Sequence, residues 1–169
     1  MVVEITPIAS LYYEKVHYYT VRFGNRAVSE FRNFIARMSG NARDAYELAE
    51  INRYIQLIGK EYGAYPQHFK NEDAAERLPP PYHQFIEADS SFDYGLRLYC
   101  IRLSPSVVIL LNGDRKTALK AKDCKNCYPH FDRARRIARN ITQAIQEGNM
   151  EIDEYNKEIL LDNDFELEI

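Results

Sequence analysis

The side chains best suited to handling a charged substrate lie between Asp93 and Lys122. Strand alternation puts Arg97 and Tyr99 on one face of their segment, and Leu98, Cys100 and Arg102 on the other. Arg115 and Lys116 emerge where the apolar run Val107 to Leu111 gives way to Asn112-Gly113-Asp114. The spacing predicts that Arg97 converges with Arg115 and Lys116 at one end of a sheet, with Lys120 and Lys122 on the loop that follows. Such a cluster suits phosphate, because a guanidinium fork binds two oxygens at once and stays charged. The competing reading is ordinary strand-end cations that face water or pair with Asp93 and Asp114. Tyr99, Tyr128 and His130 are the groups near the cluster able to relay a proton.

Cys124-Lys125-Asn126-Cys127, with His130 three residues on, offers soft ligands at tight spacing. Zinc would need a fourth ligand from Cys100 or His83, and no second Cys-x-x-Cys supplies one. A redox role is chemically open to a thiol at a helix start, but reduced, packed thiols are the simpler reading. No metal and no cofactor are expected. The thirteen tyrosines include Tyr12-Tyr13 and Tyr18-Tyr19. They fit buried rings with hydroxyls at the edge better than a base-stacking sheet, since no glycine-rich aromatic strand accompanies them.

The formal charge of −3 hides an asymmetry. Glu147 to Ile169 holds nine acids and one base, while residues 1 to 146 hold 21 bases and 16 acids. The stretch Asp93 to Arg139 alone has eleven bases and four acids. A basic body with an acidic end points to a polyanionic partner or an internal clamp, against the plainer reading of a solvated surface. The tail is expected to pack on the basic body and shield it, pairing with Arg133, Arg135, Arg136 and Arg139. No signal peptide or membrane-spanning run is readable, and three cysteines are too few for a disulfide-rich module. A cytoplasmic protein is expected.

These residues need elements to hold them. Val16 to Phe23 reads as a strand, and two helices follow, from Arg26 to Met38 and from Ala42 to about Tyr62. Asn71 to Arg77 reads as a polar loop and Tyr82 to Ala88 as a strand. Leu96 to Leu103 and Val107 to Leu111 form a hairpin whose second strand, apolar on both faces, is central or covered. Tyr128 to Gln146 is an amphipathic helix. In the tail, Ile152, Tyr155, Ile159 and Leu160 suit a short helix, and Phe165, Leu167 and Ile169 a half-buried strand. The expected fold is α+β: a small, mainly antiparallel sheet with two N-terminal helices, a helix after the last sheet strand, and an acidic C-terminal extension. The expected division is a domain over 1–148 and an extension over 149–169 docked on it.

Gly95-Leu96-Arg97-Leu98-Tyr99, the apolar strand, Asn112-Gly113-Asp114-Arg115-Lys116-Thr117, the lysine-rich connector and the final helix resemble the RelE/HigB superfamily of bacterial toxins, most clearly over Tyr82 to Gln146. The resemblance implies a toxin paired with an antitoxin, cleaving mRNA on the ribosome without a metal, by attack of the RNA 2′-hydroxyl on the adjacent phosphate. It implies that Arg97 and Arg115 or Lys116 stabilise the phosphate and that Lys120, Lys122 and Arg102 contact RNA. Tyr99, Tyr128 or His130 would move protons. The arginines of the last helix would contact ribosomal RNA or the acidic tail. The alternative is a non-catalytic module on a degenerate version of the same fold, holding RNA or an antitoxin segment with the same face.

Overall fold

A computed structural model describes residues 1–83 and 93–169. The chain opens with two paired strands, β1 (Val2–Tyr12) and β2 (His17–Phe23), antiparallel from Val3 opposite Phe23 onward. Two helices follow, α1 (Glu30–Met38) and α2 (Ala42–Leu57), the latter running on into a wider turn at Ile58–Tyr62. Each helix starts where a side chain satisfies its free N–H groups. Ser29 accepts from the Arg32 N–H and Asn41 from the Asp44 N–H. The first helix therefore begins at Glu30, not at Arg26: 26–28 is irregular chain leading to the Ser29 cap.

Next come a small hairpin, β3 (Lys70–Glu72) and β4 (Ala75–Leu78), then the long hairpin β5 (Leu96–Ser104) and β6 (Val107–Arg115). Helix α3 (Tyr128–Gln146) follows, then a separate hairpin of β7 (Met150–Asp153) and β8 (Glu158–Leu161), and finally β9 (Leu167–Glu168). Among the described residues the main sheet has seven strands in the order β3-β4-β5-β6-β2-β1-β9. All its neighbours are antiparallel except β2 and β6, which run parallel with His17 opposite Val107 and Thr20 opposite Leu110.

Two cores lie on opposite faces. One packs Phe34, Ile51, Ile55 and Ile58 against Tyr18, Leu98, Cys100, Val108 and Leu110; the other packs α3 through Phe131, Ile137 and Ile141 against Tyr99, Val107, Ile109 and Leu111. β6 is buried on both faces from Val107 to Gly113, which is why its sequence is apolar without alternation.

This corrects the expected fold. The sheet is larger and mixed, two strands precede the helices, and strands follow the last helix. β1 escaped sequence reading because Pro7 and its scattered polar residues mask the alternation of an exposed strand. The 70–78 hairpin escaped because its strands are short and charged. Tyr82 and His83 are not in a strand, and the rest of the segment expected there, 84–88, lies outside the described residues. The tail segment read as a helix is the β7–β8 hairpin, with Lys157 at a positive φ of 56° in its turn. Among the described residues no helix is long and apolar enough to cross a membrane.

Candidate functional site: a cation cluster on the long hairpin

Register decides where each candidate points. Leu96 lies opposite Arg115, Arg97 opposite Asp114, and the Lys116 N–H and C=O bond Gly95 and Tyr94. Arg97 and Lys116 therefore share the α3 face, while Arg115 turns to the α2 face. Between Leu98 and Cys100 the register slips by one residue, so that Leu111 and Asn112 together face Tyr99. This bulge sharpens the local twist. Gly113 sits in it so close to the neighbouring strand that a Cβ would stand 1.8 Å from the Arg97 carbonyl oxygen.

Arg97 is the unusual residue of the α3 face. Its guanidinium donates to the Leu96 carbonyl at 3.1 Å, and among the described residues its buried Nε has no hydrogen-bond partner and it has no ion pair. Burial, and then the nearby Arg77, push its proton affinity down to about 10. Arg77 comes from β4, where it lies opposite Tyr99; it is 6% exposed and held by the Pro79 carbonyl at 2.7 Å and Glu72 at 3.6 Å. Burial and Arg97 likewise lower the Lys116 ammonium, which lies 5.8 Å from the Tyr94 ring centre. Arg77 pairs with Glu72, while Arg97 and Lys116, each repelled by the neighbouring arginine charge, have no ion pair among the described residues. An uncompensated buried guanidinium is costly unless an anion completes it. Such an arrangement can seat an oxyanion, a phosphate above all.

The structure thus brings Arg97 and Lys116 together, and adds Arg77 and Glu72 from the hairpin read as a loop. A hint lay in Ala75-Glu76-Arg77-Leu78, where Ala75 and Arg77 share one face, but four residues are too few to show a period. Lys120 and Lys122 are exposed on the segment leading to α3.

The other candidates lie elsewhere. Arg115 is locked by three carboxylates: Asp93 at 2.9 Å, Asp44 at 2.5 Å, and Glu47. Arg102 is paired with Glu76 at 3.1 Å. Tyr99 is 1% exposed, its hydroxyl driven far up by burial and by Cys127, so it cannot exchange protons with a ligand. Tyr128, at the start of α3, is 41% exposed.

His130 belongs to a second polar cluster. The carboxyl ends of parallel β2 and β6 lead to α1 and α3 on opposite faces, the arrangement that opens a ligand crevice in many α/β sheets. Here the chain fills it with its own side chains. Arg37 donates to Asn33 at 2.8 Å, Asp114 at 2.9 Å, Asn112 at 2.5 Å and the Gly113 carbonyl at 2.6 Å. Buried Glu30 takes Asn112 at 2.7 Å and Arg133 at 2.8 Å. His130 Nε2 lies 3.5 Å from Arg37 Nη2 and can only accept there, which places its proton on Nδ1. Burial, and then Arg37, push His130 down to about 4. With each Arg37 nitrogen engaged, this cluster ties α1, β6 and α3 together; among the described residues the buried His130 Nδ1 is left without a hydrogen-bond partner.

The acidic tail makes no ion pair with the arginines of α3 among the described residues. Arg133 pairs with Glu30, Arg135 with Asp132 and Asp73, and Arg139 with Asp73. None of the tail's acids is in an ion pair among the described residues. The tail is held instead by Leu167 and Met150 in the α3 core, by β9 on β1, and by Asn140 donating to the Glu168 carbonyl. Cys100 lies in the α2 core and Cys124 and Cys127 in the α3 core, so the three cannot meet at one metal. Among the described residues no group of three or more His, Cys, Asp and Glu is arranged to hold a metal ion. Compared with known proteins, the chain matches no family model, no curated protein and no solved structure.

Proposed function

We propose that this chain binds RNA through its phosphates, with Arg97, Arg77 and Lys116 as the anion seat, and that it binds without cutting. The observation that carries the reading is the half-buried Arg97 guanidinium, whose Nε is sealed from solvent and which has no ion pair among the described residues. The exposed Lys120 and Lys122 extend the basic surface beyond the seat, as a polyanion with several phosphates would require. Against cleavage, two of the three proton-relay candidates are committed elsewhere: Tyr99 is sealed in the core and His130 is neutral and bonded to Arg37. The test is anisotropy of a labelled single-stranded RNA across a salt series. Affinity should fall steeply with salt. Arg97→Ala or Lys116→Ala should weaken binding and flatten the slope by about one unit for each phosphate no longer neutralised. Salt-independent binding, or variants indistinguishable from wild type, would sink the reading.

A second reading is a ribosome-dependent toxin of the RelE/HigB kind, with an antitoxin partner and a cytoplasmic site of action. Its support is that Arg97 and Lys116, the positions the resemblance assigns to phosphate, share one face, with exposed Tyr128 at the start of α3 as the remaining proton donor. Growth arrest on induction and new mRNA 5′ ends by primer extension, both absent in Arg97→Ala, would favour it over binding alone.

A further inference from the structure

The Cys-Lys-Asn-Cys turn ahead of α3 is not used by the anion seat, yet its sulfurs are arranged for chemistry. Cys124 Sγ accepts the Thr117 N–H at 3.3 Å and the Cys127 N–H at 3.3 Å, with the Thr117 hydroxyl at 3.5 Å. Donors aimed at one sulfur favour its thiolate. Burial works against the charge, but the hydrogen bonds from Thr117 and Cys127 outweigh it and leave Cys124 below the ordinary thiol value. Cys127 is the opposite: burial, and then Cys124, push it up to about 12.

The two thiols belong to one turn, closed by the Tyr128 N–H donating to the Cys124 carbonyl at 2.8 Å. Residues three apart in a helical turn have Cα atoms about 5 Å apart, within the range of roughly 4.4–6.8 Å that a disulfide spans. Both are free thiols here. Both are buried, but the segment that carries Cys124, residues 117–126, is mostly exposed loop with one short turn at Ala121–Asp123.

We propose that Cys124 and Cys127 form a dithiol that exchanges with low-molecular-weight disulfides, Cys124 attacking and Cys127 resolving. The Cys124 thiolate attacks one sulfur of the incoming disulfide. That S–S bond breaks, one small thiolate leaves, and a mixed disulfide forms on Cys124. Cys127 then loses its proton and attacks Cys124 Sγ, expelling the second small thiolate. Two electrons pass from the dithiol to the incoming disulfide, and the two thiol protons end on the two small thiols released. The third cysteine, Cys100, has no part in this: it lies in the other core, and burial raises its thiol well above the ordinary value.

The test is incubation of the reduced full chain with oxidised glutathione under native conditions, read by intact mass and peptide mapping. Wild type and Cys100→Ala should both lose two hydrogens and show a Cys124–Cys127 bridge. Cys127→Ser should trap one glutathione on Cys124, and Cys124→Ser should react about tenfold slower or less. A wild-type chain that oxidises only when unfolded by urea, or bridges through Cys100, would overturn the inference. So would Cys124→Ser trapping glutathione on Cys127 as fast as the converse variant. The wild-type measurement needs no variant to fold. Mass and thiol counts are independent of the anion seat, so this inference fails or survives apart from the RNA reading.

Discussion

Arg115 and Lys116 are consecutive in the chain and end on opposite faces of the sheet, one enclosed by three carboxylates and the other beside two arginines. The two therefore have opposite effects on stability. Arg115→Met removes the cation that Asp44, Glu47 and Asp93 share; Asp93 keeps Arg43, but buried Glu47 and half-buried Asp44 lose theirs, which should cost about 3–5 kcal/mol. Lys116→Met relieves repulsion with Arg97 and should be neutral or slightly stabilising. Urea denaturation of the two variants checks the contrast, and equal losses would contradict it.

Arg97→Met should separate binding from stability. The guanidinium is desolvated without a carboxylate partner among the described residues, so replacing it by an apolar side chain of similar length should gain about 1 kcal/mol. RNA affinity should fall about tenfold, the scale of one charged hydrogen bond to phosphate. Paired urea and anisotropy measurements decide it. A destabilised variant would mean that Arg97 has a structural partner.

The contrast between these residues also marks how far the sequence could be read. The β5–β6 hairpin was legible because Val107 to Leu111 is apolar without a break and Ser104-Pro105-Ser106 makes the turn. The facing of Arg97 was legible because alternation holds from Leu96 to Tyr99. Arg115 was not, because its three carboxylates come from α2 and from Asp93, distances that no local period encodes. Arg77 stayed hidden for a related reason: a four-residue charged strand looks like a loop until β5 supplies its partner. The parallel pairing of β2 with β6, which makes the sheet mixed, joins segments about ninety residues apart and leaves no local signal. In the tail, the spacing of Ile152, Tyr155 and Ile159 fits a helix, yet the segment folds as a hairpin. Pairing Met150 with Leu161 and Ile152 with Ile159 puts their apolar side chains together, and that cross-strand pairing prevails over spacing.

Gly113→Ala tests the bulge that aims Arg97. The added Cβ would meet the Arg97 carbonyl oxygen and carbon at 1.8 and 2.8 Å. These are backbone atoms and cannot swing aside. The strands must separate, at a cost of about 3 kcal/mol or more. Gly24→Ala, whose Cβ meets only the Val2 carbonyl oxygen at 3.9 Å, should cost far less. Thermal melts of the two variants check the difference.

His130 should give the protein an acid-sensitive step. Its folded value of about 4 lies below the ordinary 6.5, so the unfolded chain binds the proton more readily. The stabilisation is complete above about pH 6.5 and is lost as pH falls toward 4, with a total of roughly 3 kcal/mol. His130→Gln cannot titrate. Its stability should lie below wild type at neutral pH and converge on it near pH 4. Parallel stability–pH curves would contradict the assignment.

Removing the last six residues tests what the acidic tail does. Its acids make no ion pairs with the arginines of α3 among the described residues, so the tail is expected to act through packing and not through shielding of the basic face. Leu167 is buried in the α3 core, Phe165 packs against that core, and β9 covers the start of β1. Burying a leucine fully contributes about 1.5–3 kcal/mol, so deletion of 164–169 should cost at least about 2 kcal/mol. RNA affinity, measured where the shortened chain is still folded, should stay within about twofold, since exposed charges are screened at physiological salt. A large rise in affinity with stability unchanged would restore the clamp. A loss of stability with affinity unchanged would identify the tail as a strand completing the sheet.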